Sequence, residues 1–340
     1  MKNYLGIDIG TSHIKFVETA VNGKSYEIVK AYMMPAVTKA LFSESTADFE
    51  ELARQIKMGL KDSGITLRRF NASLLESQVF TRIIEMPLLS DKELIQALRW
   101  EAERYIPLPL EEVNMDFAVL ARYPDRKKME VLLVASPIHT IQKYIKIFEL
   151  AGIIIDALEN EALPLLRVYK DTNANYAIAD IGDGTANIFL TKKDMLALSR
   201  PIGIGGGTFT KVLVTELNLP TPQAEEYKKT YGLAPDQLEG RAFKAIAPLV
   251  DSLASELNQS LIYFKERYPQ EVVTKIILTG GASMMPGLTQ YIQDKIQLET
   301  IIGNPWARLI VGKMAASSQN MAPFYSVATG LSLREELSNG

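Results

Sequence analysis

Two short stretches of the chain carry residue types that can do chemistry together. Tyr4-Leu5-Gly6-Ile7-Asp8-Ile9-Gly10-Thr11-Ser12 returns about one domain length later as Tyr176-Ala177-Ile178-Ala179-Asp180-Ile181-Gly182-Asp183-Gly184. Each copy is an apolar run ending in Asp-Ile-Gly, then a turn of small residues, then a second apolar run (Ile14 to Val17; Asn187 to Leu190). A turn built from Gly, Thr and Ser lets the backbone come close to an anion and turn several N–H groups toward it. An Asp at the strand end can hold the water shell of Mg²⁺, an ion bound mostly through one or two carboxylates plus phosphates. One copy alone is an ordinary hairpin turn. Two copies facing each other across a cleft suit a nucleotide polyphosphate with its metal ion.

Other residues extend that chemistry. Gly10, Thr11 and Ser12 would hold one side of the phosphates, and Gly182, Asp183, Gly184 and Thr185 the other, with Asp8 and Asp180 on water-bound Mg²⁺. Lys15 stands four residues past the first turn, and strand alternation leaves it equally free to reach the phosphates or the solvent. The run Ile276-Ile277-Leu278-Thr279 enters Gly280-Gly281-Ala282-Ser283, which taken alone reads as a strand-to-helix corner needing glycine for its φ values and otherwise as a turn against which a flat base or a ribose can lie. Gly205-Gly206-Gly207, ahead of a helix at Lys211 to Glu216, reads as a helix N-terminus offered to a phosphate or ribose. Its spacing fits neither a P-loop nor a Rossmann fingerprint. Glu225 and Lys228 share a helix face, which by itself reads as a plain surface ion pair. His13 and His139 have no Ser or Cys arrangement around them and read as structural.

These residues need two folded units to hold them. At 340 residues and 47% apolar, the chain can bury two cores. With 37 Lys+Arg against 40 Asp+Glu it advertises no basic surface for nucleic acid, and without cysteine it has neither disulfides nor thiolate metal sites. The N-terminus enters a strand at once, which predicts no signal peptide, and no apolar run reaches the roughly 18–20 residues that span a bilayer. A helix is expected from Asp48 to Ser63, with strand-like segments at Leu74 to Phe80 and Ile83 to Pro87. Ser90-Asp91-Lys92-Glu93 is a capping box opening a helix whose Leu94, Ile95, Leu98, Ala102 and Tyr105 share the core face, with Trp100 opposite. Pro107 and Pro109 stop it; strands Asp116 to Tyr123 and Glu130 to Ala135 and a helix from Ile138 to Ala151 follow. The second unit should run from Tyr176 to about Trp306, and the tail from Met321 to Leu337 should return to the first.

The order of these elements resembles the actin/Hsp70/sugar-kinase ATPase superfamily. Ala224-Glu225-x-x-Lys228 is similar to a segment of bacterial actins that contacts ribose. More specific is Arg99-Trp100-Glu101-Ala102-Glu103-Arg104-Tyr105-Ile106-Pro107-Leu108-Pro109-Leu110-Glu111-Glu112-Val113. With Gln78-Val79-Phe80, Met86-Pro87, Asn304-Pro305-Trp306 and Ala328 to Arg334, it resembles the type IV pilus assembly PilM family, a relative of FtsA. The resemblance implies an α/β, actin-like (ribonuclease H-like) two-domain ATPase fold with an FtsA-type 1C insert. Domain I would comprise residues 1–83, 157–172 and 311–340, the insert 84–156, and domain II 173–310.

It further implies a cytoplasmic protein, peripheral to the inner membrane, that binds ATP and Mg²⁺ with at most slow ATPase activity. A residue orienting the attacking water would lie in Glu159-Asn160-Glu161, so Glu159 and Glu161 are the catalytic candidates, against a solvated helix start as the favoured plain explanation. The implied partner is the N-terminal cytoplasmic tail of a PilN-like inner-membrane protein. Trp100, Tyr105, Pro107 and Leu110 are candidates for its surface, the competing reading being that Trp100 packs between the insert and its parent domain, with pilus motor ATPases and self-association as further contacts. The alternatives are a filament-forming bacterial actin or FtsA-like division protein, or a small-molecule kinase of the same fold. An FtsA-like chain normally ends in a basic amphipathic helix, and Arg334 to Gly340 is expected to be none.

Overall fold

The computed structural model describes residues 2–23 and 25–334. The first sheet opens with β1 (Lys2–Ile9), β2 (His13–Asn22) and β3 (Ser25–Pro35), an antiparallel meander. Helix α1 (Thr46–Asp62) follows, burying Leu52, Ile56 and Leu60 at helical spacing. Strand β4 (Arg69–Leu74) then pairs parallel with β1.

The chain next leaves for a small three-stranded sheet: β5 (Phe80–Pro87), helix α2 (Asp91–Ala102), β6 (Val113–Tyr123) and β7 (Lys128–Pro137), in the order β5-β7-β6. Helix α3 (Ile138–Ala151), β8 (Ile154–Asn160) and α4 (Ala162–Val168) complete the first half, and β8 pairs parallel with β4. The second half repeats the pattern with β9 (Asn175–Ile181), β10 (Ala186–Lys192) and β11 (Met195–Ile202). Helices α5 (Gly206–Leu217), α6 (Thr221–Thr230) and α7 (Arg241–Arg267) come before β12 (Val273–Thr279), α8 (Leu288–Ile296) and β13 (Glu299–Ile302). Strand β14 (Ile310–Val311) pairs with β3, and α9 (Ser326–Ser332) closes the described chain.

The two large sheets share one design. The first runs β14-β3-β2-β1-β4-β8 and the second β11-β10-β9-β12-β13. In each, an antiparallel hairpin is extended by two parallel strands beyond its first member. The central strands are buried on both faces, which explains their unbroken apolar runs. The register places Asp8 opposite Lys15 and Asp180 opposite Asn187, so the sequence repeat is a structural repeat.

Several local expectations change. Leu74 to Phe80 is not a strand: β4 ends at Leu74 and Glu76–Gln78 form a 3₁₀ turn. The Ser90 capping box is present, and Leu94, Leu98 and Ala102 face the insert's core. Ile95 (60% exposed) and Tyr105 (37%) do not: at Ile95 the sheet covers a narrower stripe than the apolar pattern offers, and α2 ends at Ala102, before Tyr105 and ahead of Pro107 and Pro109, which therefore do not stop it. Trp100 faces solvent at 76% exposure. Helix α3 buries Tyr144, Ile147, Phe148 and Ala151 with α1 and β1 in the first domain's core. We therefore propose 80–137 as the packing unit of the insert, in place of 84–156. Trp306 packs with Val17, Ile28 and Ala328 and donates from Nε1 to Thr329 Oγ1 (2.9 Å), so it belongs to the first domain. Helix α9 lies against β1, β2, β4 and α4, so the tail returns to the first domain; residues 335–337 lie outside the described residues.

Candidate functional site

The two Asp-Ile-Gly hairpins meet face to face at a cavity of about 440 Å³ between the two sheets. Their turns touch: the Gly184 N–H donates to Thr11 Oγ1 at 3.0 Å, and Thr38 Oγ1 holds the Thr11 carbonyl at 2.7 Å. Gly10, Thr11, Ser12, Lys15, Asp8, Gly182, Asp183, Gly184, Thr185 and Asp180 all line the cavity. Lys15 points into it and donates to Asp8 Oδ2 at 2.8 Å, while Ser73 Oγ donates to Asp8 Oδ1 at 3.1 Å. Burial alone would lower the Lys15 ammonium, but the Asp8 carboxylate holds it above its ordinary value. No donor among the described residues reaches the Asp180 carboxylate. Burial pushes it up to about 6; Lys15 pulls down and Asp8 pushes up.

Glu161 is brought to the same floor. Its Oε2 accepts from the Glu76 N–H (3.1 Å) and from Asn187 Nδ2 (2.9 Å). Burial, then the charges of Asp180 and Asp8, raise it well above an ordinary carboxylate. Glu76 is buried as well, raised by burial, and accepts from Ser199 Oγ at 2.5 Å. The Asn187 Oδ1 and Glu76 Oε2 atoms are buried without a hydrogen bond. Glu159 is turned away from the cavity, accepting from Arg167 at 3.0 and 3.1 Å and from Arg334. Both glutamates are buried, so neither is a solvated helix start.

The glycines split by role. Gly280 has φ +80°, and a Cβ there would lie 2.4 Å from Asp180 Oδ1, so only glycine lets the third turn sit against the carboxylate. Gly280, Gly281 and Ala282 line the cavity. Ser283 does not; its hydroxyl is buried on the Gly280 carbonyl at 2.7 Å. Helix α5 starts at Gly206, earlier than expected, and its first N–H groups are engaged. Gly206 N–H donates to Gly182 O and Gly207 N–H to Asp183 O, both at 2.8 Å. Gly205 packs on that turn too, where a Cβ would lie 2.4 Å from Asp183 O. This helix start thus braces the second hairpin, and of the three glycines Gly206 lines the cavity.

Glu225 and Lys228 form a network, not a loose surface pair. Lys228 Nζ is buried and donates to Gly206 O (3.0 Å), Thr210 Oγ1 (2.9 Å) and Glu225 Oε2 (2.7 Å). Desolvation would raise Glu225, but the bonds from Lys228 and Thr210 and the nearby Lys229 hold it down to about 2. The sequence reading missed His13, Asn187, Lys229, Met284, Met285, Met321 and Phe324 in the lining. His13, taken there as structural, bonds through Nδ1 with Ser12 Oγ at 2.9 Å, and its pKa is lowered by burial and by Lys15. Asn187 was findable, since it occupies in the second hairpin the place that Lys15 holds in the first.

Two sheets of one repeated design, enclosing a cavity between paired Asp-Ile-Gly hairpins, define an actin-like α/β fold. The family described as Type IV pilus assembly protein PilM matches residues 6–336, and the chain belongs to it. A solved "PilM-PilN type IV pilus biogenesis complex" contains a chain 28% identical, with TM-score 0.85 over 97% of this chain and 98% of that one. The cell division protein FtsA of Bacillus subtilis (strain 168) is 24% identical over 89% of this chain and 78% of its own length. MreB 5 of Spiroplasma citri, solved bound to AMPPNP, shares the fold at TM-score 0.51 and 13% identity, covering 97% of this chain and 95% of its own. The chain is an actin-like pilus assembly protein of the FtsA-like branch. Among the described residues no helix is long and apolar enough to cross a membrane.

Proposed function

We propose that this protein is an ATP-binding scaffold at the cytoplasmic face of the inner membrane, gripping the N-terminal tail of a PilN-like membrane protein. The observation that carries the nucleotide half is the pair of hairpins with Asp8 and Asp180 across one cavity. Gly10, Thr11 and Ser12 face Gly182 to Thr185 at the phosphates, Lys15 adds positive charge, and the Asp8 and Asp180 carboxylates hold Mg²⁺ through water. Glu225 and Lys228 sit toward the ribose, with Gly280, Gly281 and Ala282 against the base. Glu161 is the acceptor best placed to orient a water, since its Oε2 is fixed by Glu76 and Asn187; Glu159 is not. Bound Mg²⁺ would supply charge neutralisation for the phosphates.

The tail half rests on likeness to the chain solved with PilN and on exposed apolar surface at the insert and its root. Trp100, Tyr105 and Pro107 are exposed, whereas Leu110 packs partly into the insert's core. Gln78 joins the insert to the first domain through Leu41 O, Ser136 Oγ and Tyr144 OH, and exposed Phe42 and Ile138 follow Leu41 and Ser136 closely along the chain. Pilus motor ATPases and further copies of the chain would meet the assembled scaffold elsewhere. The deciding experiment is capture of host membrane proteins by the purified chain with ATP and Mg²⁺. Recovery of a small single-span protein through its N-terminal tail, lost in Asp8→Ala or in Trp100→Ala or Phe42→Ala, supports the reading. The similarity to FtsA favours a second reading, a polymer. ATP-dependent pelleting of the chain with no membrane protein recovered would establish that one instead.

A further inference from the structure

The insert is covalently part of the first domain, but a buried polar cluster fastens it to the second. Glu130 on β7 is 5% exposed. Its Oε1 accepts from Tyr268 OH (2.7 Å) and Arg267 Nη2 (3.4 Å), both at the end of α7, and its Oε2 from Tyr123 OH on β6 (2.8 Å). Lys192 at the end of β10 donates to Tyr123 OH at 2.8 Å. It also lies over the rings of Tyr123 and Tyr268, at 5.1 and 4.5 Å. Arg267 Nη1 reaches the Ile83 carbonyl on β5 at 3.3 Å. Beside this cluster β5 lies against β11, and Ile83, Leu120, Leu132 and Val134 join an apolar cluster that holds Phe189 and Leu196 of the second sheet together with Leu165 and Leu331 of the first domain.

A buried carboxylate shared by an arginine and two tyrosines resists separation, because parting the surfaces breaks several coupled hydrogen bonds at once and exposes the adjoining apolar cluster to water. The insert's covalent and hydrogen-bonded links to the first domain are concentrated at its root, in two chain crossings, the Gln78 knot and an Asn160 to Thr81 bond of 3.1 Å; beyond the root the contact is apolar, through the shared cluster. We infer that the insert moves with the second domain, the Glu130 cluster acting as a latch, so that cleft closure is delivered as a displacement at the junction of insert and first domain. The stiffness of the latch belongs to this chain's geometry alone; its use as a relay rests on the nucleotide reading above. A hydrogen-bonded fastening on one side and a mainly apolar contact, able to slide, on the other are what such a relay needs.

The chain has no cysteine, so spin labels can be placed at will. One pair, Asp125→Cys with Lys244→Cys, reports insert to second domain, and another, Asp125→Cys with Lys57→Cys, reports insert to first domain. Pulsed EPR distances are measured with and without ATP and Mg²⁺. The inference expects the first distance to hold while the second shifts on adding nucleotide. Adding Glu130→Ala should broaden the first distribution even without nucleotide, and the milder Tyr123→Phe serves if Glu130→Ala melts early by circular dichroism. An insert-to-second-domain distance that shifts with nucleotide while the other holds overturns the inference. So does a distribution that stays narrow in the latch variant. If fluorescent nucleotide fails to bind, the nucleotide reading falls by itself, and the broadening still decides whether the latch exists.

Discussion

Asp180 and Glu159 show how position, not residue type, decides what a carboxylate does in this fold. Asp180 faces the cavity with no described donor, pushed up to about 6 against an ordinary 3.8. Because the folded-state value is the higher one, the folded chain binds the extra proton between those limits, and stability falls as pH rises from about 4 to 6. Asp180→Asn should flatten that part of the stability profile and stabilise the ligand-free chain at pH 7 by about 3 kcal/mol. Urea melts at pH 4, 5, 6 and 7 test this, and an unchanged slope in the variant refutes it. The same substitution should weaken Mg²⁺–nucleotide binding, since the ionised form is the one that holds the metal shell. Glu159 presents the opposite case. Its carboxylate neutralises Arg167 and Arg334 in a buried site, so Glu159→Ala should cost about 3 kcal/mol of stability. Nucleotide affinity, read with a fluorescent analogue, should stay at the parent value; a loss there with unchanged stability would return Glu159 to the cleft.

At the scale of elements, what could be read from the sequence was what depends on neighbours along the chain. The repeated hairpins, the Ser90 capping box and the stop of α3 at Gly152 (φ +73°) are local devices, and each stands where its residues put it. Ile95 was misjudged because periodicity gives the apolar face of α2 but not the width of the sheet it meets, and Tyr105 because the helix ends at Ala102. Helix α3 was placed with the insert because nothing in its sequence says which of two cores Tyr144 and Phe148 enter. Likewise, the engaged N–H groups of Gly206 and Gly207 depend on a turn far away in sequence. The docking of α9 is set by such a distant contact. At Gly6 a Cβ would lie 2.0 Å from Ala328 O, so β1 and the closing helix approach backbone to backbone. Gly6→Ala should therefore destabilise the first domain by about 3 kcal/mol. Hydrogen exchange should place the opening in β1 and α9; faster exchange confined to the second sheet would contradict the assignment.

The whole molecule is better described as three bodies sharing cores than as two domains carrying an appendage. Tyr176, Ile178, Phe189 and Leu196 of the second domain, Leu165 and Leu331 of the first, and Leu132 of the insert occupy one buried cluster. An appendage could be cut away and leave both sheets covered; this insert cannot, because its sheet roofs that cluster. Replacing residues 80–137 by a short Gly-Ser linker should uncover a contiguous apolar face, and such faces drive association in soluble proteins. The truncated chain should accumulate in the insoluble fraction. Whatever remains soluble should bind a hydrophobic dye strongly and lose the Arg267 and Tyr268 partners that Glu130 supplies. A soluble, monomeric truncation with parent nucleotide affinity would mean that the insert is dispensable to the core, and that the cleft is built from the two repeats alone. The three-body description predicts the reverse order of loss: solubility first, then the relation between the two sheets, and the cleft with it.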